Sequence, residues 1–344
     1  MKPLLEVDQL RVSFRTYGGE VQAVRGVSFS VKEGETLAIV GESGCGKSVT
    51  ARALMGMIPP RSGQVKGGSI RFRGRELTGL TKLEWQQVRG SQIGMIFQDP
   101  MTSLNPTMKI GQQIAEGLIK HLKQTKTEAK EETLKLLERV GISEAARRFE
   151  QYPHELSGGM RQRVGIAMAL ACQPQLVIAD EPTTALDVTI QAQILRLMKE
   201  LQEQLNTSVI LITHDLGVVA EVADHVAVMY AGVVVESGPV GEIFDDPRHP
   251  YTQGLLQSVP RLEAGKKERL IPIEGTPPDL FRPPAGCPFA ARCRFAMEIC
   301  VEHMPQSNSF FNQHEASCWL NDPRAQKSRS VDGSREGDTW LTTL

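Results

Sequence analysis

The chain has 344 residues, 40% hydrophobic and 23% charged, an ordinary balance for one large globular domain or a domain with an appendage. Its formal net charge of -1 argues against a broad electrostatic grip on nucleic acid. No apolar run approaches the roughly 18–20 residues that span a bilayer, and Glu6 comes too early for a secretory leader, so the expected setting is the cytosol, with any membrane role exerted through partners.

Residues 4–40 read as strand-rich: Leu5, Val7, Gln9, Arg11 and then Val27, Phe29, Val31 alternate, and Thr36 to Val40 is a short apolar run. Ser48 to Met57 has helical spacing, and Pro59-Pro60 stops it. Residues 70–74 and 93–97 predict further strands. From about Ile110 to Arg148 the pattern turns helical, with Leu134, Leu136, Leu137 and Val140 on one face, and Met160 to Cys172 predicts another helix. Two buried strands, Leu176 to Ala179 and Ser208 to Ile212, flank a helix from Thr189 to Leu205. This alternation implies an α/β fold with a mainly parallel sheet covered on both faces. Beyond Pro239 prolines crowd and regular structure should be sparse; from Asn321 the chain is polar and reads as a loosely ordered tail.

Between the strand ending at Val40 and the following helix lies Gly41-Glu42-Ser43-Gly44-Cys45-Gly46-Lys47-Ser48, a full match to the phosphate-loop pattern in its expected context. Glycines let successive backbone N–H groups curl around an anion, Lys47 would reach the β- and γ-phosphates, and the Ser48 hydroxyl would ligate Mg²⁺. Cys45 occupies a free position of the pattern. The apolar strand at 176–179 ends in Asp180-Glu181, where Asp180 would hold Mg²⁺ and Glu181 would act as general base on water. Gln98 and His214 follow apolar strands in the same way, but each alone reads equally well as an ordinary loop residue.

Four of the six cysteines, Cys287, Cys293, Cys300 and Cys318, crowd the end of the chain. Their spacing matches neither a zinc ribbon nor a ferredoxin run. Four thiolates in a proline-rich lobe, too small to bury a core unaided, still suggest a metal staple. A four-iron cluster, zinc and free thiols all stay open, while His303 and His314 read as surface residues.

Leu156-Ser157-Gly158-Gly159-Met160 completes a set in which the chain resembles the ATP-binding-cassette (ABC) ATPases over about residues 4–240. The resemblance implies an ABC-type P-loop NTPase, with a RecA-like mixed sheet core, an antiparallel β subdomain and a helical subdomain, plus a small irregular C-terminal metal-binding lobe. It implies that the loop from Gly41 through Val49 cradles ATP, that Tyr17 stacks on adenine, and that Gln98 senses Mg²⁺ and the attacking water. Ala185-Leu186-Asp187 looks like the D-loop, and His214 would contact the γ-phosphate. Ser157, Gly158 and Gly159 would close over the ATP of a second cassette paired head to tail. The expected division is an ATPase domain over residues 1–240, with its helical subdomain at about 100–172, an extension over 241–320 and a tail over 321–344.

Phe97 to Pro106, Arg248-His249-Pro250-Tyr251-Thr252 and Thr276-Pro277-Pro278-Asp279-Leu280 narrow the resemblance to the peptide and nickel importer cassettes, specifically the dipeptide/oligopeptide permease subunits. That similarity implies a peripheral protein at the cytoplasmic face of the membrane. Its partners would be a second, different cassette, two permease subunits and an extracytoplasmic binding protein, with the region from Gln98 to about residue 155 docking the permeases. Many such cassettes carry a similar cysteine quartet, in some cases holding a [4Fe–4S] cluster. The resemblance implies uptake of di- or oligopeptides coupled to ATP hydrolysis, with nickel or another small solute as the alternative cargo. A soluble cassette ATPase acting on DNA or ribosomes is the rival class, but one copy of each motif and no heptad run disfavour it. A redox-sensing subunit is disfavoured by the complete ATPase motifs.

Overall fold

The computed structural model describes residues 2–99, 103–184, 186–258 and 272–325. Thr36–Val40 is buried at every position, which suits a strand covered on both faces, and the same holds for Ile93–Ile96, Leu176–Asp180 and Ser208–Thr213. In chain order the strands are β1 (Leu5–Thr16), β2 (Gly19–Val31), β3 (Thr36–Val40), β4 (Gly63–Phe72), β5 (Arg75–Glu76) and β6 (Ile93–Ile96). They continue as β7 (Leu176–Asp180), β8 (Ser208–Thr213), β9 (His225–Tyr230), β10 (Val233–Pro239), β11 (Asn308–Ser309) and β12 (Glu315–Ala316).

These strands make two sheets. A four-stranded antiparallel sheet has the order β2-β1-β4-β5. An eight-stranded mixed sheet has the order β11-β12-β10-β9-β3-β8-β7-β6, parallel from β9 to β6 and antiparallel beyond β9. Val40 pairs with both Thr213 and Val228, and Asp180 pairs with Ile212. The carboxyl ends of β3, β7 and β8 therefore finish at one level, the edge where open α/β sheets place ligand chemistry.

The expected helical stretch from about Ile110 to Arg148 is three helices, Ile110–Leu122, Lys126–Arg139 and Ala145–Phe149, and the separate helix expected from Met160 runs over Gly158–Leu170. Their breaks have local causes. Lys123 turns left-handed at φ 58, and Thr125 then opens the next helix in a reciprocal capping box with Glu128. Leu118, Leu137, Val164 and Ile166 are fully buried in the core that joins these helices to β7 and β8.

The segment after Pro239 differs from expectation. Among the described residues it contains three further α-helices, Val240–Asp245, Pro250–Gln257 and Glu298–Glu302, and it does not stand alone as a lobe. Cys287, Phe289 and Cys300 share one core with Val228, Tyr230 and Tyr251, and β12 extends the main sheet beside β10. The extension thus borrows its hydrophobic core from the sheet, which is why a lobe of this size packs. The reading of His314 as a surface residue is also corrected: it is 1% exposed, whereas His303 is exposed. His314 is buried because its Nε2 lies 2.7 Å from Oε1 of Glu236, an acid on β10 that is itself buried. Glu236 also accepts the N–H of Arg248 at 2.6 Å and of His249 at 2.9 Å, so one carboxylate ties three points of the extension. Of the expected tail, residues 326–344 lie outside the described residues, as do Pro100, Met101 and Thr102 of the segment after Gln98.

Glu236→Ala leaves three donors unpaired, two of them buried, at about 1–3 kcal/mol for each buried one. The expected outcome is a loss of roughly 3 kcal/mol or more in urea unfolding, with early proteolysis of the extension. A change under about 1 kcal/mol would show that the acid does not anchor it.

Candidate functional site

The phosphate loop begins where the chain leaves β3 beside its parallel neighbour β9. Gly41 has φ +150, and a Cβ there would sit 2.1 Å from the Met229 carbonyl oxygen. Gly46, at φ +106, would likewise place a Cβ 2.5 Å from the Ala23 carbonyl, so only glycine fits either position. Gly46 is also the residue that opens the helix Lys47–Leu54, with no side chain capping that end and no acid in its first turn. Its first N–H groups are therefore available to an anion. Ser43 and Gly44 are exposed, Glu42 and Val49 half-buried, and Cys45 is 5% exposed.

Lys47 is buried, with Nζ donating to the carbonyls of Gly41 at 2.7 Å and Glu42 at 3.0 Å. Ser48 Oγ donates to Asp180 Oδ1 at 2.8 Å, across 132 residues of sequence. Burial pushes the Asp180 carboxyl above its ordinary range, and the Ser48 hydrogen bond opposes that shift. Glu181 follows in a left-handed conformation, φ 46, a departure that costs of the order of 1–3 kcal/mol for a residue with a Cβ. Its N–H donates to Ile212 O at 2.9 Å, which holds the turn. Glu181 Oε2 accepts from Gln98 Nε2 at 2.8 Å and from Thr184 Oγ1 at 2.9 Å, and His214 Nδ1 lies 3.5 Å from Oε1.

The structure thus brings Lys47, Ser48, Gln98, Asp180, Glu181 and His214 to one edge of the sheet. Tyr17 stands fully exposed at the turn between β1 and β2. Ser157 caps the helix Gly158–Leu170 by accepting the Met160 N–H at 3.3 Å. That turn lies beside Ile190 and Leu186, since a Cβ on Gly159 would come within 3.1 Å of Ile190 Cγ2. Asp187 caps the helix Val188–Leu205 through the Ile190 N–H, while Ala185 lies outside the described residues.

Cys287, Cys293, Cys300 and Cys318 line one cavity together with His249 and Phe289. Burial first, and the neighbouring cysteines second, push the thiol of Cys287 up to about 11 and that of Cys318 up to about 12. His249 is 1% exposed, and burial lowers its pKa to about 4, so the ring is neutral at pH 7. Its Nδ1 accepts the Tyr251 N–H at 3.1 Å, which leaves the proton on Nε2, a buried atom with no hydrogen-bond partner among the described residues. One tetrahedral zinc would draw its thiolates to within about 3.8 Å of each other. Among the described residues no three His, Cys, Asp or Glu side chains form such a single-ion group.

Three contributors escaped the sequence reading. Thr184 is an ordinary loop residue until the fold turns it onto Glu181. Tyr251 Oη accepts the Glu42 N–H at 2.8 Å, and Arg292 pairs with the Glu42 carboxylate. Tyr251 falls in the quoted Arg248-to-Thr252 segment, a signal of importance without a role; Arg292 carried no signal.

A protein-family profile described as "ABC transporter" matches residues 24–184, and one described as "Oligopeptide/dipeptide transporter, C-terminal region" matches residues 235–300. The chain is 58% identical to the dipeptide transport ATP-binding protein DppD of Bacillus subtilis, over 95% of this chain and 97% of that protein. It is 61% identical to the oligopeptide transport ATP-binding protein OppD of the same organism, over 94% of this chain and 90% of that one. Among solved structures it aligns, at TM-score 0.62 and 26% identity, with a dimeric ATP-binding cassette in a post-hydrolysis state bound to ADP and phosphate, covering 69% of this chain and 98% of that one.

Burial raises the pKa of the Cys45 thiol, so its thiolate is scarce at neutral pH despite its place in the loop. Brief maleimide treatment of the native chain at pH 7 should leave Cys45 unlabelled by peptide mapping, and urea should expose it. Rapid native labelling would mean that the loop opens far more readily than its packing indicates.

Proposed function

The chain belongs to the oligopeptide/dipeptide family of ABC transporter ATP-binding proteins, and from that premise we propose that it is the ATP-hydrolysing motor subunit of a peptide importer. The observation that carries this reading is the hydrogen-bonded set Ser48–Asp180 and Gln98–Glu181–Thr184, with His214 beside it, at the mouth of an uncapped, glycine-rich helix start. Phosphoryl transfer to water needs mainly positioning and charge neutralisation. Loop N–H groups from Gly41 to Val49 and the Lys47 ammonium bind the phosphates, and Tyr17, exposed and aromatic, stacks on adenine. Ser48 and Asp180, with Gln98, are the residues that would hold Mg²⁺, which would supply charge neutralisation. Glu181 takes the proton of the attacking water, with Oε2 fixed by Gln98 and Thr184 and His214 next to Oε1.

Ser157, Gly158 and Gly159 complete the site of a second cassette in a head-to-tail pair. The dimeric state of the solved cassette supports that arrangement. Among the described residues no helix is long and apolar enough to cross a membrane, so transport requires separate permease subunits, with a binding protein delivering peptide outside. Attachment is then peripheral, at the cytoplasmic face.

The cysteine cavity is the site we assign to a [4Fe–4S] cluster. Four thiols around one cavity, with an unpaired Nε2–H of His249 on the same wall, support this reading. Such a cluster supplies a covalent staple and a one-electron redox centre.

Glu181→Gln should retain ATP binding and lower turnover by about 10²–10⁴-fold in an ATPase assay, accumulating the closed pair. A wild-type-like rate would remove Glu181 as the base. Anaerobically purified protein should contain iron and acid-labile sulfide; zinc without sulfide, or neither metal, would overturn the cluster.

A further inference from the structure

The phosphate loop carries an acid, Glu42, at its first variable position, where a negative charge opposes the binding of a nucleotide's phosphates. The structure shows how that charge is handled. Arg292, 250 residues further along the chain, meets Glu42 in a two-pronged contact, Nη1 to Oε2 at 2.7 Å and Nη2 to Oε1 at 3.0 Å. The guanidinium side chain is 5% exposed. Its remaining donors are also placed: Nε to Glu274 O at 2.8 Å, Nη2 to Ile273 O at 3.0 Å, and Nη1 to Tyr230 Oη at 3.1 Å. Five N–H groups meet five acceptors, which fixes the fork in one orientation and leaves it no alternative partner.

The contact acts on the loop itself. Glu42 donates its N–H to Tyr251 Oη, and its carbonyl accepts from Lys47 Nζ. Its backbone therefore bridges the extension and the lysine that binds phosphate.

We propose that Arg292 is a positioning residue for ATP binding: it neutralises and fixes Glu42, so that the phosphate loop of this cassette is complete only with the extension docked on it. This rests on the ATPase reading above and assigns the extension a direct part in nucleotide affinity. A lysine cannot replace the fork, because it offers one charge without the five fixed donors.

The test compares Arg292→Met, Arg292→Lys and the double variant Arg292→Met with Glu42→Gln, using the full-length chain in its assembled complex. Equilibrium Mg·ATP binding, KM and kcat are measured, with thermal unfolding alongside. Arg292→Met should weaken ATP binding and raise KM about tenfold with kcat little changed, Arg292→Lys should fall between, and adding Glu42→Gln should recover most of the affinity. Unchanged affinity in Arg292→Met overturns the proposal. So does a loss that Glu42→Gln fails to recover, which would make Arg292 a strut of the extension only. Failure of the wild-type complex to bind or hydrolyse ATP would instead sink the ATPase reading.

Discussion

The site depends on how closely the chain passes Met229 as it leaves β3. The 2.1 Å between that carbonyl and a Cβ built on Gly41 means that the backbone is pressed against the neighbouring strand, with no room to drift. β3 lies between β8 and β9 and pairs in parallel with both, so its exit point is fixed from two sides. A register slip of one residue would move the loop by about 3.3 Å and reverse the strand's faces. Because β7 pairs with β8 in turn, the same constraint sets Asp180 within hydrogen-bond reach of Ser48.

A second fixed point lies at Glu236. A carboxylate with no exposed surface is costly unless its lone pairs are met, and here two backbone N–H groups and a histidine meet them. Those partners come from residues 248, 249 and 314, so both ends of the extension return to one atom pair on β10. Arg292 and three of the four cavity cysteines, Cys287, Cys293 and Cys300, lie between them in the chain. Arg292 directly precedes Cys293, so the wall of the cavity and the support of the phosphate loop are one piece of chain.

Local chemistry was legible in the sequence, and long-range pairing was not. The strand, loop and helix around Lys47 and the acid pair after β7 carry their meaning within ten residues, because periodicity and glycine placement are local signals. The reading that Gln98 and His214 join them rested on a resemblance, since a lone amide or imidazole after a strand is ambiguous. Glu236 with His314, and Glu42 with Arg292, are separated by 78 and 250 residues and follow no period that a sequence displays. Misplacing His314 on the surface has the same origin, as polarity alone cannot reveal a buried acid waiting for it. Crowding of the four cysteines suggested that they gather, but not that their cavity would share its wall with His249 and Phe289, which requires the extension to fold onto β9 and β10.

On the proposed paired reading, the two helix starts that would face phosphate are not equivalent. The helix at Lys47 opens on a glycine with no cap and carries a buried ammonium, so it offers both unmet N–H groups and full charge. The helix at Gly158 is partly capped: Ser157 Oγ accepts the Met160 N–H and keeps its own O–H to donate, beside the N–H groups of Gly158 and Gly159. Neutral donors of this kind contribute roughly 0.5–1.5 kcal/mol each, against about 1.5–3 for bonds involving charged groups. The signature turn alone therefore holds an anion weakly. On the paired reading it acts on a phosphate that the partner's loop has already bound and oriented, where the entropy of capture has been met. On that reading weak neutral donors would suffice to tell a pair closed around ATP from one that has lost the γ-phosphate.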